Sequence, residues 1–325
     1  MTKNQLLTLL CLTIFPTLTI GHLNAQKEIY IADPSIFAEN GKYYLTGTSE
    51  AKLHGFKLLE SDNLTEWKLS NQNTAGKLLG TSKDVFGERN FWAPQILKAD
   101  NQYFLTYTAN EHIAIAKSTS LTGPYTQTVV QPIDSTAKNI DSYLFKDDDG
   151  KYYMYHVRFK NGNFIWVAEF DFANGLLKKE TLKQCLRNDQ VWEKTQAYKS
   201  APIMEGPTVV KLKGIYYLFY SANNFRSVDY AVGYATATSP YGPWTKHLQN
   251  PIIHRSIVHE NGAGHGDLFF DKQNNPYYVY HVHNSDSVVA PRKTRIAALQ
   301  FNLNTRTGIY DISVIANKTI IPKRQ

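Results

Sequence analysis

A tyrosine-rich block recurs five times along this chain of 325 residues. In each copy a short apolar segment is followed by turn residues and then by an aromatic pair, and the pairs begin at Tyr43, Tyr103, Tyr152, Tyr216 and Tyr277. The successive spacings are 60, 49, 64 and 61 residues. Self-similarity at this period is typical of repeat architectures, in which each repeat buries its apolar surface against its neighbours.

Each repeat is predicted to consist of β-strands. Turn residues such as Asp148-Asp149-Gly150 separate two short apolar runs, which is the pattern of a hairpin. A second recurrence, ending in Trp67, Tyr125 or Trp244, indicates a turn between a third and a fourth strand. Five repeats of about four antiparallel strands predict an all-β fold, a five-bladed β-propeller that spans residues 26–325 as a single domain. At most a short helix is expected, within residues 182–197.

The first 25 residues have the pattern of a secretory signal peptide. Lys3 precedes an apolar run from Leu6 to Ile20, and the small residue Ala25 before Gln26 fits a cleavage site. We therefore expect residues 1–25 to be removed and the protein to be exported, either to a periplasm or out of the cell. A retained N-terminal anchor is the alternative, although the run is short for a membrane span, and no later segment predicts one.

Net charge limits the possible binding partners, and the cysteine count limits the possible disulfide bonds. Lys and Arg number 35 against 28 Asp and Glu, which gives a formal net charge of +7. The basic residues are scattered and no nucleic-acid-binding motif is present, so no nucleic-acid partner is predicted. Attraction to an acidic polysaccharide is compatible with this charge. Cys185 is the only cysteine outside the expected signal peptide, so no disulfide bond within the chain is predicted.

Three repeats carry a carboxylate at or next to their first residue: Asp33, Asp141 and Glu205. The innermost strand of each propeller blade lines the central channel, so equivalent repeat starts would bring these acids together. Such a group suits glycoside hydrolysis, in which one carboxylate acts as general base and another as general acid. The third carboxylate would raise the pKa of the general acid by charge repulsion.

The repeat starts also carry short motifs, which in chain order are Ala32-Asp33-Pro34-Ser35, Phe91-Trp92-Ala93-Pro94, Ile140-Asp141-Ser142, Met204-Glu205-Gly206-Pro207 and Gly264-His265-Gly266. In this order and spacing they resemble the blade signatures of glycoside hydrolase family 43. The resemblance covers nearly all of the chain after the signal peptide, and it implies a five-bladed propeller that inverts the anomeric configuration. It also implies Asp33 as general base, Glu205 as general acid, and Asp141 as the residue that orients the acid and modulates its pKa.

Histidines are the candidates for holding an ion. The resemblance implies that His265 lies near the channel centre and holds a calcium or sodium ion through water molecules. The alternative is a hydrogen-bonded histidine without an ion, and no cofactor is required. His281 and His283 lie on one strand face, which is compatible with zinc. However, His281 and His156 follow their tyrosine pairs at matching distances, so we interpret them as packing residues rather than ligands.

Arginine and aromatic residues are the candidates for contacting substrate. The resemblance implies that Arg292 contacts the substrate or the general acid, with Arg295 as the competing candidate. Trp92 and Phe91 are candidates for a wall on which a sugar stacks, although propeller aromatics usually pack between blades. Phe225 is a third aromatic candidate.

The resemblance implies hydrolysis of pentose-containing, plant-type oligo- or polysaccharides. It leaves open α-L-arabinofuranosidase, β-xylosidase and arabinanase activity. One alternative is a propeller that only binds glycans or protein. Another is a retaining, fructan-cleaving hydrolase, in which the two working carboxyls lie only about 5–5.5 Å apart rather than the roughly 6.5–9.5 Å of inverting enzymes.

Overall fold

The structure is a computed structural model that describes residues 27–49, 54–70, 77–197 and 199–325. The predicted signal peptide lies outside these residues. Helical structure in the described ranges is limited to one short α-helix, α1 (Arg255–Val258), and to 3-10 helices at Lys179–Thr181 and Val191–Lys194. The second of these 3-10 helices falls in the segment where a short helix was expected. None of the described helices has the length and apolar character that crossing a membrane requires.

The described strands form five sheets, each of which is one blade. Blade 1 follows the short strand β1 (Lys27–Glu28) and contains β2 (Ala32–Glu39), β3 (Lys42–Thr48), β4 (Leu59–Ser61) and β5 (Glu66–Leu69). Blade 2 contains β6 (Trp92–Ala99), β7 (Gln102–Ala109) and β8 (His112–Ser118). Blade 3 contains β9 (Asn139–Lys146), β10 (Tyr152–Phe159), β11 (Asn163–Asp171), β12 (Leu176–Leu177) and β13 (Lys183–Gln184).

The last two blades each have four strands. Blade 4 contains β14 (Met204–Leu212), β15 (Ile215–Ala222), β16 (Ala231–Ala237) and β17 (Thr245–Lys246). Blade 5 contains β18 (Gly264–Phe270), β19 (Pro276–Val282), β20 (Lys293–Leu303) and β21 (Tyr310–Ile320), and it is followed by β22 (Lys323–Arg324). Blade 2 falls short of the predicted four strands in the described residues, because pairing beyond β8 is reduced to a bridge between Lys117 and Thr126.

The innermost strands β2, β6, β9, β14 and β18 lie side by side in a closed ring around the central axis. The predicted five-bladed propeller is therefore confirmed. Side chains alternate between the two faces of a strand, so the members of an aromatic pair face opposite neighbouring blades. Tyr216 packs into the hydrophobic cluster shared with blade 3, whereas Tyr217 packs into the cluster shared with blade 5. This alternation explains why a pair of aromatics, and not a single one, recurs in the sequence.

The ring is closed at the outer edge of blade 1. There β22 pairs in parallel with β5 and antiparallel with β1, so that residues from both ends of the described chain complete one sheet. Trp67 of β5 is fully buried beside this junction, and its indole N–H donates to the Leu64 carbonyl at 2.7 Å. The C-terminal strand thus joins the last blade to the first.

Every innermost strand is interrupted near its start by a β-bulge, where the pairing register with the second strand shifts. At each bulge one residue has a left-handed backbone with φ between 40° and 59°, and these residues are Asp33, Ala93, Asp141, Gly206 and His265. A residue in this conformation is uncommon when it is not glycine. We refer to these five residues as the bulge residues.

Removal of residues 323–325 tests the closure of the ring. We expect the free energy of unfolding to fall by about 1–3 kcal/mol, because the pairing of β22 with β1 and β5 is lost. The lost bonds include Lys323 N–H to Thr65 O and Gln325 N–H to Trp67 O. Urea denaturation followed by tryptophan fluorescence measures the change. The matched control is Arg324→Ala, which keeps both bonds and alters an exposed side chain. Equal stability of the truncated and the full-length chain would show that closure does not depend on β22.

Candidate active site

The five bulge residues surround the axis at one end of the propeller. A narrow cavity lies between them, and all five contribute to its lining. Two of the predicted carboxylates, Asp33 and Asp141, are bulge residues themselves. Glu205 and Trp92 each stand one position before the bulge residue of their blade. The fold thus brings the three predicted acids to one site.

Hydrogen bonds between blades hold the bulge residues in place. In four blades the bulge residue donates its main-chain N–H to a side chain on the second strand of the preceding blade. The donor–acceptor pairs are Ala93 to Thr48 Oγ1 at 2.9 Å, Asp141 to Thr108 Oγ1 at 3.1 Å, His265 to Ser221 Oγ at 2.7 Å, and Asp33 to His281 Nδ1 at 3.1 Å. A main-chain N–H that would otherwise be buried without an acceptor is thereby satisfied.

Blade 4 departs from this pattern. The position that supplies the acceptor is occupied by Val157 of blade 3, which pairs with Ile140 and has no acceptor atom in its side chain. The Gly206 N–H instead donates to the carboxylate of Asp141. Gly206 has φ +59°, and a Cβ atom there would lie 2.8 Å from Cδ2 of His265, so only glycine fits.

One guanidinium and two imidazoles surround the carboxylate of Asp33. Nη1 of Arg292 donates to Oδ1 of Asp33 at 3.1 Å, and Nδ1 of His281 and of His265 lie 3.3 Å and 3.4 Å from the same oxygen. Burial alone would raise the pKa of Asp33, but the charge of Arg292 is the main cause that lowers it well below its usual value. Burial lowers the pKa of His281 to about 3 and also lowers that of His265, so neither imidazole is charged at neutral pH. Asp33 is therefore ionised at neutral pH.

The other two carboxyls lie in a different environment. Burial raises the pKa of Glu205 to about 7, and the charge of Asp33 adds to this effect, while hydrogen bonds from Tyr230 and Asn163 oppose it. The Tyr230 hydroxyl donates to Oε1 of Glu205 at 2.7 Å. Burial, together with the charges of Glu205 and Asp33, raises the pKa of Asp141 well above its usual value. Because ionising both Asp141 and Glu205 is unfavourable, this pair retains a proton near neutral pH.

Tyr230 and His281 connect the two sides of the site. Their rings stack with centroids 5.7 Å apart and an interplanar angle of 18°, and both side chains are fully buried. One ring bonds Glu205 and the other bonds the main chain of Asp33. Gly264 makes this stack possible, because a Cβ atom there would lie 2.4 Å from the Tyr230 ring.

His281 is fully buried, as a packing residue is, but it also accepts the Asp33 N–H, so its interpretation as a packing residue equivalent to His156 is wrong. That interpretation rested on matching His281 with His156 by distance from the tyrosine pair, and the register places the two on different positions. His281 pairs with Gly264 just before the bulge, so its equivalent in blade 3 is Val157. His156 is a buried packing residue, as expected. His281 and His283 do not converge, since Nε2 of His283 donates to the Phe225 carbonyl at 2.8 Å.

Of the two arginine candidates, Arg292 reaches the site. Its guanidinium also lies over the ring of Phe225, 4.7 Å from the centroid, so these two predicted residues form one wall. Arg295 instead donates two hydrogen bonds to Glu260 and is buried.

The two aromatic residues before the second bulge have different surroundings. Trp92 is half-buried. Phe91 is only 5% exposed and packs against Tyr107 and His54 in the core, so it does not offer the open face that sugar stacking needs.

Three residues of the site lie at the start of the third strand of their blade. Asn163 begins β11, and Tyr230 and Arg292 directly precede β16 and β20. In an antiparallel blade the third strand starts at the same end as the first, so these residues lie beside the bulges. Asn163 and Tyr230 were not predicted from the sequence. A polar residue at the start of a third strand is the pattern that would have indicated them.

No three His, Cys, Asp or Glu side chains converge as metal ligands in residues 27–49, 54–70, 77–197 and 199–325. Nδ1 of His265 faces Oδ1 of Asp33 at 3.4 Å and Oδ2 of Asp141 at 3.8 Å. An ion in the channel would therefore take most of its ligands from water, and its presence stays a prediction.

Comparison with known proteins agrees with this geometry. The model of glycosyl hydrolases family 43 matches residues 27–305. The chain is 26% identical to a beta-D-galactofuranosidase of Aspergillus niger over 294 residues, which covers 84% of this chain and 80% of the relative. It is 24% identical to a beta-xylosidase of Xylanibacter ruminicola over 285 residues, with 72% and 85% covered.

Solved structures extend the comparison to three dimensions. The crystal structure of an endo-1,4-beta-xylanase from Bacteroides thetaiotaomicron has 36% sequence identity and a TM-score of 0.84, with 93% of this chain and 99% of that chain covered. The match of the family model over most of the chain, together with the propeller and its ring of carboxylates, shows that the chain is a glycoside hydrolase and belongs to glycosyl hydrolases family 43.

Proposed function

We propose that this enzyme hydrolyses glycosidic bonds of pentose-containing, plant-type glycans with inversion, using Asp33 as general base and Glu205 as general acid. The opposite pKa shifts of these two carboxyls carry the proposal. Two carboxyls whose surroundings push their pKa values apart take opposite roles in proton transfer. Asp33 can accept a proton because it is ionised, and Glu205 can donate one because its pKa is raised to about 7.

The proposed reaction is a single displacement. Asp33 removes a proton from a water molecule as the water oxygen attacks the anomeric carbon. Glu205 gives its proton to the glycosidic oxygen as the bond from that oxygen to the anomeric carbon breaks. The products are a sugar of inverted configuration and an alcohol, and both carboxyls have exchanged protonation states. Proton exchange with solvent resets them.

Tyr230 favours one proton position on Glu205. Its hydroxyl donates to Oε1, which is the bond that a carbonyl oxygen of a neutral carboxyl accepts. Oε2 is then the oxygen that presents the proton to the leaving group. Asp141 and Glu205 share one proton in this proposal. When the proton is on Glu205, the charge of Asp141 opposes ionisation of Glu205, and the Gly206 N–H stabilises the Asp141 carboxylate.

The sugar class is proposed from the relatives. One is named a beta-xylosidase, another an endo-1,4-beta-xylanase, and a third a beta-D-galactofuranosidase. Xylosyl and arabinofuranosyl units fit this set, since both are pentoses and the second has a furanose ring. Arg292, Phe225 and Trp92 are the proposed substrate contacts around the cavity. Export, directed by residues 1–25, and a water-held ion near His265 remain parts of the proposal.

Carboxamide variants test the two catalytic roles. We expect Asp33→Asn and Glu205→Gln each to lower kcat/KM on aryl β-xyloside and aryl α-arabinofuranoside by about 10²–10⁴-fold, the range that general acid–base catalysis supplies. Release of nitrophenol measures the rates, and an aryl β-galactofuranoside completes the panel. Glu180→Gln makes the same chemical change at an exposed position and should leave the rates unchanged. Retained turnover in either catalytic variant would refute the corresponding role.

The pH dependence tests the state of Glu205. Since the acid must be protonated, activity should decline as pH rises through about 7, the pKa of Glu205. Tyr230→Phe removes a hydrogen bond that lowers this pKa, so the alkaline limb of the kcat/KM profile should move up by about one unit. The rate at the optimum should fall as well, because the carboxyl loses its orientation.

Tyr220→Phe is the matched control for this experiment. Tyr220 is also buried and donates to a carboxylate, Oε1 of Glu193, at 2.7 Å outside the site. Its loss should lower stability without moving the alkaline limb. A limb that stays in place in Tyr230→Phe, or moves equally in both variants, would contradict the role given to Tyr230.

A further inference from the structure

We propose that a groove on blade 3 binds the leaving-group side of a polysaccharide that carries uronic acid residues. The inference rests on the proposed function, because it extends the same site beyond the cleaved bond. The groove has a volume of about 390 Å³, within the usual range of about 300–1,000 Å³ for small-ligand sites. We call it the blade 3 groove, and the residues that define it are Lys160, Asn161, Phe164, Trp166, Arg187 and Pro202.

The groove begins beside the proposed general acid. Asn163 hydrogen-bonds Glu205 through its side chain, and its main-chain N–H donates to the Pro202 carbonyl at 2.8 Å. Pro202 lines the groove, as does Phe164, the next residue after Asn163. The general acid protonates the oxygen of the leaving group, so the part of the substrate nearest to Glu205 is the leaving chain. A leaving chain of several units would extend along this groove.

Aromatic residues give the groove a surface for sugar rings. Phe164 and Trp166 are two positions apart on β11, so they project on the same face of the blade. Both are half-buried and line the groove. The C–H face of a sugar packs against such rings, and the side-chain amide of Asn161 at the groove edge can bond sugar hydroxyls.

Charge selects the kind of sugar. Lys160 and Arg187 are exposed, and the groove lining contains no carboxylate. In the part of the chain that the structure describes, neither cation pairs with an acidic side chain. Nζ of Lys160 instead lies over the Trp166 ring, 5.7 Å from its centroid. A sugar that approaches Trp166 would therefore meet a positive charge, which a carboxylate on that sugar would match.

Binding measured on an inactive enzyme tests this directly. In the Glu205→Gln background we would compare retention by glucuronoxylan with retention by the same polymer after reduction of its carboxyl groups, using affinity electrophoresis. We expect about tenfold tighter binding to the acidic polymer, and loss of this difference in Lys160→Gln/Arg187→Gln. In the active enzyme the groove variant should leave kcat/KM on aryl glycosides unchanged, since these substrates have no chain to fill the groove.

The matched control is Lys318→Gln/Arg306→Gln. It removes one Lys and one Arg from exposed positions on blade 5. This variant should keep the preference for the acidic polymer. Equal losses in both double variants would reduce the effect to overall charge, and equal binding of the two polymers by the parent would overturn the proposal. The proposed function fails separately if the wild-type enzyme does not turn over aryl glycosides while the Glu205→Gln enzyme still prefers the acidic polymer.

Discussion

One backbone constraint organises this enzyme, the left-handed residue in the bulge of every innermost strand. For a residue other than glycine such a conformation costs about 1–3 kcal/mol, and it persists only where surrounding contacts enforce it. Here a hydrogen bond that the residue donates to the preceding blade enforces it in four blades. The same bond joins neighbouring blades, so the closure of the ring and the shape of the site have a common cause. The strain is therefore located where the chemistry takes place.

The five bulges provide equivalent backbone positions that carry different side chains, and their surroundings make them chemically different. Asp33 faces Arg292, whose positive charge stabilises the ionised carboxylate. Asp141 faces other carboxyls instead, so its pKa moves in the opposite direction. A repeat architecture thus supplies the positions by symmetry, and departures from the repeat supply the function. One such departure is Val157, which stands where other blades have a side chain that accepts a hydrogen bond. Because Val157 cannot accept one, the Gly206 N–H donates to the Asp141 carboxylate instead.

The sequence was sufficient to predict the number of blades and the meeting of three carboxylates, because both depend only on the spacing of the repeats. It was not sufficient for His281. In blade 5 the residue Pro276 takes the strand position that the first tyrosine of the pair has elsewhere, and a shift of one residue moves a side chain to the other face. Tyr230 and Asn163 lie where loops enter third strands, and repeat spacing does not fix those positions. Phe91 is buried in the core between blades, and a single four-residue motif does not show which side chains a neighbouring blade covers.

The stereochemical course of the reaction tests the central claim most directly. If Asp33 activates water, proton NMR of the first product released from an aryl β-xyloside should show the α-anomer before mutarotation. That result would agree with an ionised base on one side of the sugar and a protonated acid on the other. Release of the β-anomer would contradict the account, because it requires a covalent intermediate and would make Asp33 a nucleophile rather than a base.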